Sequence, residues 1–283
     1  EPKTKFLISP RLGMSFPISV TSKIYFNYGH FVQSPSFYDL FYFRPGQWGE
    51  VSDRYYKTIP NINMDWPKTI SMELGFEETV LDQFLIHAAG YYKDVSGETR
   101  IQQWLSYFED VKLETRLNNS YRDIRGLEFR FSKNLGIWQF DMNYNYMIRS
   151  EGTVGLGTIY EDPVRMARSS WDQKQQNKWQ SRPMPRPFYR TTFRIFTPQN
   201  WGPMWGAIYP FERWYVNLMW TWQSGGRTWY ESTTAGVPHY YRNKDYHRAD
   251  FRIQKDFWIG NMKCGVFMNV FNLFDRKVLD TAM

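Results

Sequence analysis

The 283-residue chain carries 35 basic and 28 acidic side chains, a net charge of +7, and a mean hydropathy of −0.60. It has no block of five or more basic residues, so nucleic-acid binding is not expected, and its single cysteine, Cys264, excludes internal disulfides and cysteine-based metal sites. No apolar run approaches the roughly 18 residues of a membrane-spanning helix. Yet 19% of the residues are aromatic, unlike a soluble core, which would use more Leu, Ile and Val.

Ten segments alternate between apolar and polar side chains, the pattern of a strand with one apolar and one polar face. In chain order they are 5–16, 23–33, 68–77, 83–94, 120–133, 137–149, 186–197, 213–223, 246–257 and 262–271. The clearest is 137–149, where the even positions from Trp138 to Ile148 are apolar and the odd positions are polar except Met147. It is longer than the usual strand of about 5–6 residues and long enough to cross a bilayer, which takes about 9–11.

The connections between these segments alternate strictly between short and long. The long segments are 34–67, 95–119, 150–185 and 224–243, and all are expected to be irregular apart from one helical turn at 37–41 with Ser36 as its N-cap. Outer-membrane barrels have short periplasmic turns and long extracellular loops. The predicted fold is therefore all-β: part of a transmembrane antiparallel up-and-down β-barrel with about ten strands. These strands would either curl into a small barrel or leave unpaired edges at 5–16 and 262–271. In this orientation Trp138 belongs to the periplasmic aromatic girdle.

The polar positions of the strands would line the lumen of such a barrel. The candidate lumen-lining residues are Glu73, Glu128, Arg130, Asp141, Asn143, Arg248, Asp250 and Arg252. They could border a substrate path, or they could pair across strands and stiffen the wall.

Aromatic side chains in the first and fourth long segments are candidates for substrate binding, because aromatic rings stack on sugars and flat ligands. They are Tyr38, Trp48, Tyr55, Tyr56, Trp66, Trp229, Tyr230, Tyr240 and Tyr241. The alternative is that these rings serve as girdle residues or pack within their own loops.

No catalytic residue, metal site or cofactor is expected. His239 and His247 with Asp245 lack the tight spacing of metal ligands, and His30 near Ser34 is only a formal candidate for a hydrolase pair.

Several segments resemble the barrel of TonB-dependent outer-membrane receptors. They are Ser9–Phe16, Tyr25–Phe31, Ser34–Leu40, Lys68–Glu77, Ala89–Asp94, Arg125–Glu128 and Asn269–Asp275. The resemblance covers nearly the whole chain, and the order and spacing of these motifs carry it rather than any single one.

The resemblance implies a plug domain within a barrel of about 22 strands, which takes up a large nutrient such as a siderophore, vitamin, glycan or peptide across the Gram-negative outer membrane. Residues 1–283 would then be a fragment of one barrel domain, carrying roughly strands twelve to twenty-one of the family's fold. The implied partners are outer-membrane lipid and, through an N-terminal part not in this sequence, the plug domain and TonB.

Two alternatives remain open at this stage. One is a passive, porin-like outer-membrane barrel. The other is a soluble all-β glycan-binding protein, which predicts that Trp138, Phe140, Trp214 and Trp220 are buried in a core.

Overall fold

The computed structural model describes residues 3–48, 55–170, 184–206, 208–231 and 238–276. In chain order its elements are β1 (Arg11–Pro17), β2 (Ser22–Val32), α1 (Phe37–Phe41), β3 (Arg44–Trp48), β4 (Tyr55–Ile59), β5 (Lys68–Val80), β6 (Phe84–Leu105), β7 (Val111–Lys133), β8 (Trp138–Thr153), β9 (Thr158–Tyr160), β10 (Phe188–Phe196), β11 (Trp214–Gln223), β12 (Arg227–Glu231), β13 (Pro238–Arg242), β14 (Tyr246–Ile259) and β15 (Met262–Val270). Residues 163–170 are also helical.

Ten of these strands form one antiparallel wall in the order β1-β2-β5-β6-β7-β8-β10-β11-β14-β15. The end strands β1 and β15 pair on one side only, with β2 and β14, so the wall is an open segment of a barrel. The predicted all-β fold, its ten wall strands and its two free edges are confirmed. None of the helices in the described residues is long and apolar enough to span a membrane.

The register of the wall separates the two predicted faces. Residues directly opposite each other in an antiparallel pair share a face. Asn143 of β8 lies opposite Arg130 of β7 and Arg190 of β10, whereas Tyr144 lies opposite Phe129. We call the first set the polar face and the second set the apolar face.

The soluble alternative fails because the wall has no apolar core. Among the described residues only four apolar side chains are buried, and they are scattered: Met64, Ala89, Leu105 and Ala249. Trp138 is 42% exposed and Trp220 is 40% exposed, whereas the soluble alternative predicts that both are buried. A sheet with one continuous exposed apolar face suits a lipid environment.

Lys133 supports the girdle position predicted for Trp138. It lies on the apolar face, where a charged side chain is costly, but only 5% of it is exposed. Its ammonium lies 3.7 Å from the Trp138 ring and donates to the carbonyl of Leu135, at 2.7 Å, in the short turn. The cation is thus directed away from the apolar band and toward the short-turn end of the wall.

Three tyrosines of the wall lie directly opposite a glycine on the next strand. The pairs are Tyr25 with Gly75, Tyr91 with Gly126, and Tyr121 with Gly152. A Cβ added to Gly126 would stand 2.6 Å from Tyr91 Oη, so the ring occupies the space that the glycine leaves empty. Such pairs cover the backbone of a glycine that would otherwise weaken its strand.

The prediction for the second long segment differs most from the structure. Residues 95–119 were expected to be a loop, but β6 and β7 continue through them as a paired hairpin that turns only at 106–110. β6 therefore has 22 residues and β7 has 23, about twice what a bilayer crossing needs. The two strands are joined through an irregularity near Gly97, where the register shifts between Ser96 and Glu98 and again between Glu98 and Arg100.

The other long segments also contain strands that were not predicted. The first holds β3 and β4 besides the predicted α1, whose N-cap is Ser36 as expected. The third contributes β9 and the helical residues 163–170, and the fourth contains the β12–β13 hairpin.

Two predicted strands begin later in the structure than predicted, because a proline or a turn residue stands at the predicted start. The first strand begins at Arg11 rather than Lys5, because Pro10 has no N–H to donate and Lys5 binds instead to the carbonyl of Met64 at 2.6 Å. Arg213 lies in a turn with φ 53°, and β11 begins at Trp214.

Candidate functional site

On the polar face of β2, β5 and β6, three side chains form a hydrogen-bonded cluster. Tyr25 Oη donates to Glu73 Oε1 at 2.8 Å and lies 2.6 Å from His87 Nε2. The Tyr25 and His87 rings stack with their centroids 5.8 Å apart. Glu73 therefore lies on the predicted face, with one carboxylate oxygen held by a phenol.

The next polar contacts join β7 to β8. Asn143 Nδ2 donates to Glu128 Oε1 at 3.2 Å, and Arg130 Nη2 donates to Asp141 Oδ1 at 3.1 Å. Arg194 of β10 lies 3.6 Å from the second oxygen of Asp141. These pairs cross strands, and they fix the side chains laterally along the wall.

On β14 the contacts run along the strand instead. Arg248 Nε donates to both carboxylate oxygens of Asp250 at 3.0 Å, and Asp250 Oδ1 also accepts from the backbone N–H of Asn272 at 2.9 Å. Arg252 Nη2 donates to Gln254 Oε1 at 2.7 Å. All eight candidate lumen-lining residues thus share the polar face, while their part in a substrate path stays a prediction.

The alternation of 186–197 puts Arg190 at a polar position, but Arg190 was not among the predicted lumen-lining residues. Arg190 is exposed, and the cross-strand register places it between Arg130 and Arg248 in one lateral row: Arg130, Asn143, Arg190, Thr221, Arg248. Neighbouring arginines of this row are separated by two strand spacings, about 10 Å. The strand register, which a single sequence does not contain, is the signal that reveals the row.

Beyond the wall, strands from three long segments pair with one another on the β6–β7 hairpin, within the same 13-stranded sheet. β4 pairs in parallel with 111–115 of β7, β3 pairs with β4, and β9 pairs in parallel with 103–105 of β6. We call this arrangement, in the order β3-β4-β7-β6-β9, the cap sheet. The β6–β7 hairpin is its centre, so a single element belongs to both the wall and the cap sheet.

Arg116 of β7 docks α1 onto the cap sheet. Its Nε lies 3.1 Å from Asp39 Oδ1, and its guanidinium stands over the Tyr38 and Tyr42 rings at 4.8 Å and 5.3 Å. Asn61 also donates to the carbonyl of Arg116 at 2.9 Å. Tyr38, a candidate substrate-binding residue, is 58% exposed although one side of its ring contacts this cation.

Tyr55 and Tyr56 lie on β4 within the cap sheet. The backbone N–H of Tyr55 donates to the carbonyl of Asp110 at 2.6 Å, beside the hairpin turn. Lys112 Nζ stands 5.5 Å from the centre of the Tyr56 ring and 3.0 Å from Glu114 Oε1. Both rings are half-buried, and Tyr56 lies beside charged groups.

Trp66 is 40% exposed and follows a turn that is bound to the cap hairpin. Asn118 Oδ1 accepts from the backbone N–H of Asp65 at 2.6 Å, and Asn118 Nδ2 donates to the carbonyls of Asp65 at 2.6 Å and Gly97 at 2.7 Å. The Asn118 side chain thus connects the backbone at Asp65 with the backbone at Gly97. The position of Trp66 is set by this bridge.

For the remaining aromatic candidates, the structure describes the backbone but not the side chains. Trp229 and Tyr230 of β12 lie opposite Tyr240 and His239 of β13, and Tyr241 lies opposite Thr228. The side chains of these residues, and that of Trp48, lie outside the described part of the chain.

The base of the β12–β13 hairpin is held by Asp245. Its Oδ1 accepts from the backbone N–H of Gly225 at 2.9 Å and from Arg242 Nη2 at 3.0 Å. The Gly225 amide, with the Arg242 guanidinium beside it, lowers the pKa of the Asp245 carboxyl.

The histidines show no arrangement for chemistry in the described part. His30 Nε2 lies 2.5 Å from Tyr28 Oη, and Ser36 caps α1. Within the described ranges, no group of three His, Cys, Asp or Glu side chains could hold a metal ion.

Comparison with known proteins agrees with this geometry. Residues 3–273 match the family model described as TonB dependent receptor-like, beta-barrel. No curated protein matches the chain.

Solved structures of the same fold are similar in shape but distant in sequence. The siderophore receptor PirA from Pseudomonas aeruginosa aligns with a TM-score of 0.57 and 15% identity, over 95% of this chain and 39% of that one. The outer membrane transporter YddB from Escherichia coli aligns with a TM-score of 0.59 and 12% identity, over 95% of this chain and 37% of that one. The FrpB iron transporter from Neisseria meningitidis aligns with a TM-score of 0.58 and 10% identity, over 95% of this chain and 35% of that one.

The chain thus spans less than two fifths of the transporters it aligns with. The family and these neighbours are receptors and transporters rather than enzymes. Because the family model covers nearly the whole chain, the chain belongs to the TonB-dependent receptor β-barrel family, and its wall is part of a Gram-negative outer-membrane barrel.

Proposed function

We propose that this chain forms part of the wall and the outer cap of a receptor that actively takes up a large nutrient. In this proposal residues 1–283 are one continuous piece of a single barrel domain. The observation that carries the proposal is the cap sheet, in which segments from three long loops assemble on a hairpin that continues the wall. A cap built in this way presents a preformed surface at the outer mouth of a polar lumen.

The nutrient would meet aromatic rings first and arginines below them. Tyr38 and Trp66 expose part of their rings on or beside the cap sheet, where they can stack on a ligand. The arginine row on the polar face would then favour an anionic nutrient, since Arg190 is exposed and forms no ion pair with the described residues. Siderophore, vitamin, glycan and peptide are all candidate classes, and the siderophore and iron transporters among the structural neighbours favour an iron complex.

Energy for uptake would come from TonB through a plug domain. The polar face offers that plug a surface whose carboxylates are mostly bound to arginine, asparagine or tyrosine partners, as in the pairs of Glu73, Glu128 and Asp250. We propose no catalytic role for the chain.

The test compares active uptake with passive diffusion in the full-length protein. Liposomes containing it should not swell in isosmotic arabinose, because a plugged barrel has no open pore. Cells should accumulate the nutrient only with functional TonB and an energised inner membrane. Swelling in arabinose together with TonB-independent uptake would refute the proposal and support a passive porin.

A second experiment tests the cap. Residues 97–120 are replaced by Asn-Gly, which joins Ser96 to Tyr121 where the two already lie opposite each other. The wall should still assemble, as judged by heat-modifiable gel migration, while nutrient binding is lost. Unchanged affinity in the assembled variant would contradict the role of the cap sheet.

A further inference from the structure

The connection between β10 and β11, residues 198–213, differs from the other short connections of the wall. We call it the aromatic link. Between 198 and 211 it has no charged residue, and among its described residues it exposes Met204 by 60%, Trp205 by 67% and Ile208 by 68%. Exposed apolar clusters of this kind mark an interaction surface.

The backbone of the aromatic link is hydrogen-bonded to itself and to the ends of its two strands. Trp205 and Ile208 exchange backbone hydrogen bonds at 2.9 and 3.2 Å. Thr197 Oγ1 donates to the carbonyl of Phe211 at 2.7 Å and accepts from the backbone N–H of Trp214 at 2.8 Å. A segment that enters a region poor in water requires such internal partners.

Two polar side chains at the base of the link, Glu212 and Trp214 of β11, are hydrogen-bonded to the backbone of the link. Glu212 Oε2 accepts from the backbone N–H of Asn200 at 2.7 Å, and Trp214 Nε1 donates to the carbonyl of Pro210 at 2.8 Å. The only carboxylate of the link is therefore bound at its base, away from the exposed apolar residues in sequence.

Of the two cations at the base of the link, Arg213 lies on the polar face and Lys255 lies on the apolar face. Lys255 lies opposite Trp214 on that face and donates to the carbonyl of Glu212, with Nζ 5.7 Å from the Trp214 ring. The guanidinium of Arg213 lies 6.0 Å from the Trp258 ring. Cations directed to the end of an apolar band lie at the level of lipid phosphates.

We propose that the aromatic link is a membrane-interface anchor, which inserts Met204, Trp205 and Ile208 into the periplasmic leaflet of the outer membrane. Its occupant is phospholipid. The link continues the apolar face that already contacts lipid, it lacks charge, and it is rich in Trp and Tyr, the residues that favour bilayer interfaces. A protein partner would not explain why Lys255 is directed to the edge of the lipid-facing band.

The β1–β2 turn provides a matched contrast. Val20 at its tip is fully exposed, but hydroxyl groups surround it: Ser19 Oγ lies 3.2 Å from Thr21 Oγ1 and 2.7 Å from Ser22 Oγ. This turn should lie in water.

The test places a nitroxide spin label at position 208 of the full-length protein, through Ile208→Cys in a background with Cys264→Ala and any other cysteine replaced. The protein is reconstituted in phosphatidylethanolamine and phosphatidylglycerol vesicles, and collision rates with oxygen and with a water-soluble nickel complex are measured. We expect a label depth of about 5–10 Å below the phosphates, as for interfacial segments. The control Val20→Cys should collide freely with nickel.

Two results would overturn the proposal. Nickel collisions at position 208 as frequent as at position 20 would place the link in water. Infrequent collisions with both reagents would mean that protein covers it, such as a plug domain or a periplasmic partner. If Ile208→Cys fails to assemble, Met204→Cys serves as the second variant with the same expected depth.

Discussion

Arg116 provides a direct test of whether the long loops form one assembled cap. Replacing it by Met keeps an unbranched side chain of similar length but removes the guanidinium, which contacts Asp39 at 3.1 Å and two tyrosine rings of the α1 segment. The Arg116 and Asp39 side chains are 14% and 29% exposed, so solvent screens their contact only in part. A hydrogen bond to a charged group contributes about 1.5–3 kcal/mol, and each cation–π contact adds about 0.5–1 kcal/mol.

Because these contributions are not fully additive, we expect the docking of α1 to weaken by about 2–4 kcal/mol, or roughly 30- to 700-fold in its equilibrium constant. Hydrogen exchange measures this opening at the amides of Leu40 and Tyr42, which donate to the carbonyls of Ser36 and Tyr38. Their protection should fall by at least about tenfold in Arg116→Met.

Arg100→Met is the matched control. Arg100 lies on the same hairpin, directly opposite Leu117, and is exposed without an ion-pair partner among the described residues. Its replacement should leave the Leu40 and Tyr42 amides protected. Equal protection in both variants and the unaltered protein would refute the docking argument, and equal loss in both would attribute it to the hairpin as a whole.

Two further predictions concern single contacts. The pKa of Asp245 is lowered in the folded protein, so its hydrogen bond to the Gly225 amide stabilises the β12–β13 hairpin fully at pH values above the unfolded pKa of about 3.9. This stabilisation is lost as the pH falls through the lower pKa of the folded state. Hydrogen exchange of the Gly225 amide, corrected for its intrinsic rate, should therefore accelerate below pH of about 4, and Asp245→Asn should remove this pH dependence. In Gly126→Ala the new Cβ would stand 2.5 Å from the Tyr146 carbonyl oxygen and 2.6 Å from Tyr91 Oη, so both the β8 backbone and the Tyr91 ring must shift. We expect a cost of about 1–3 kcal/mol, measured as a lower unfolding midpoint in detergent. Gly90→Ala, where a Cβ would meet only ordinary van der Waals contact, should change the midpoint little; similar losses in both would contradict the steric reasoning.

The wall was predictable from the sequence because lipid and water impose opposite requirements on alternate residues. In 137–149 every position except Met147 follows this constraint, and the structure places Asn143 on the polar face and Tyr144 on the apolar face, as predicted. The boundaries were less predictable where the constraint is absent. Residues 111–117 alternate as clearly, with Val111, Leu113 and Leu117 on odd positions, but they stand in a long polar segment that was predicted to be a loop.

The cap sheet was out of reach for a different reason. Its parallel pairs join Tyr55 to Val111 and Gln103 to Thr158, residues more than fifty positions apart in sequence for each pair. No turn motif encodes such pairs, and they form between segments that are short and mixed in polarity. The arginine row has the same origin, since it exists only once five strands are in register.

The continuity of β6 and β7 has a mechanical consequence for a receptor. From Phe84 to Ser96 the strand is paired on both sides within the wall, and from Gln103 to Leu105 it is paired on both sides within the cap sheet. Only the stretch between them is irregular, with two register shifts and a positive φ of 70° at Gly97, and bulges of this kind bend and twist a strand. A displacement of the cap sheet relative to the wall is therefore taken up near Gly97, where the Asn118 bridge also holds the first long loop. If the cap binds the ligand as proposed, ligand contact in the cap and deformation of the wall would meet at this junction.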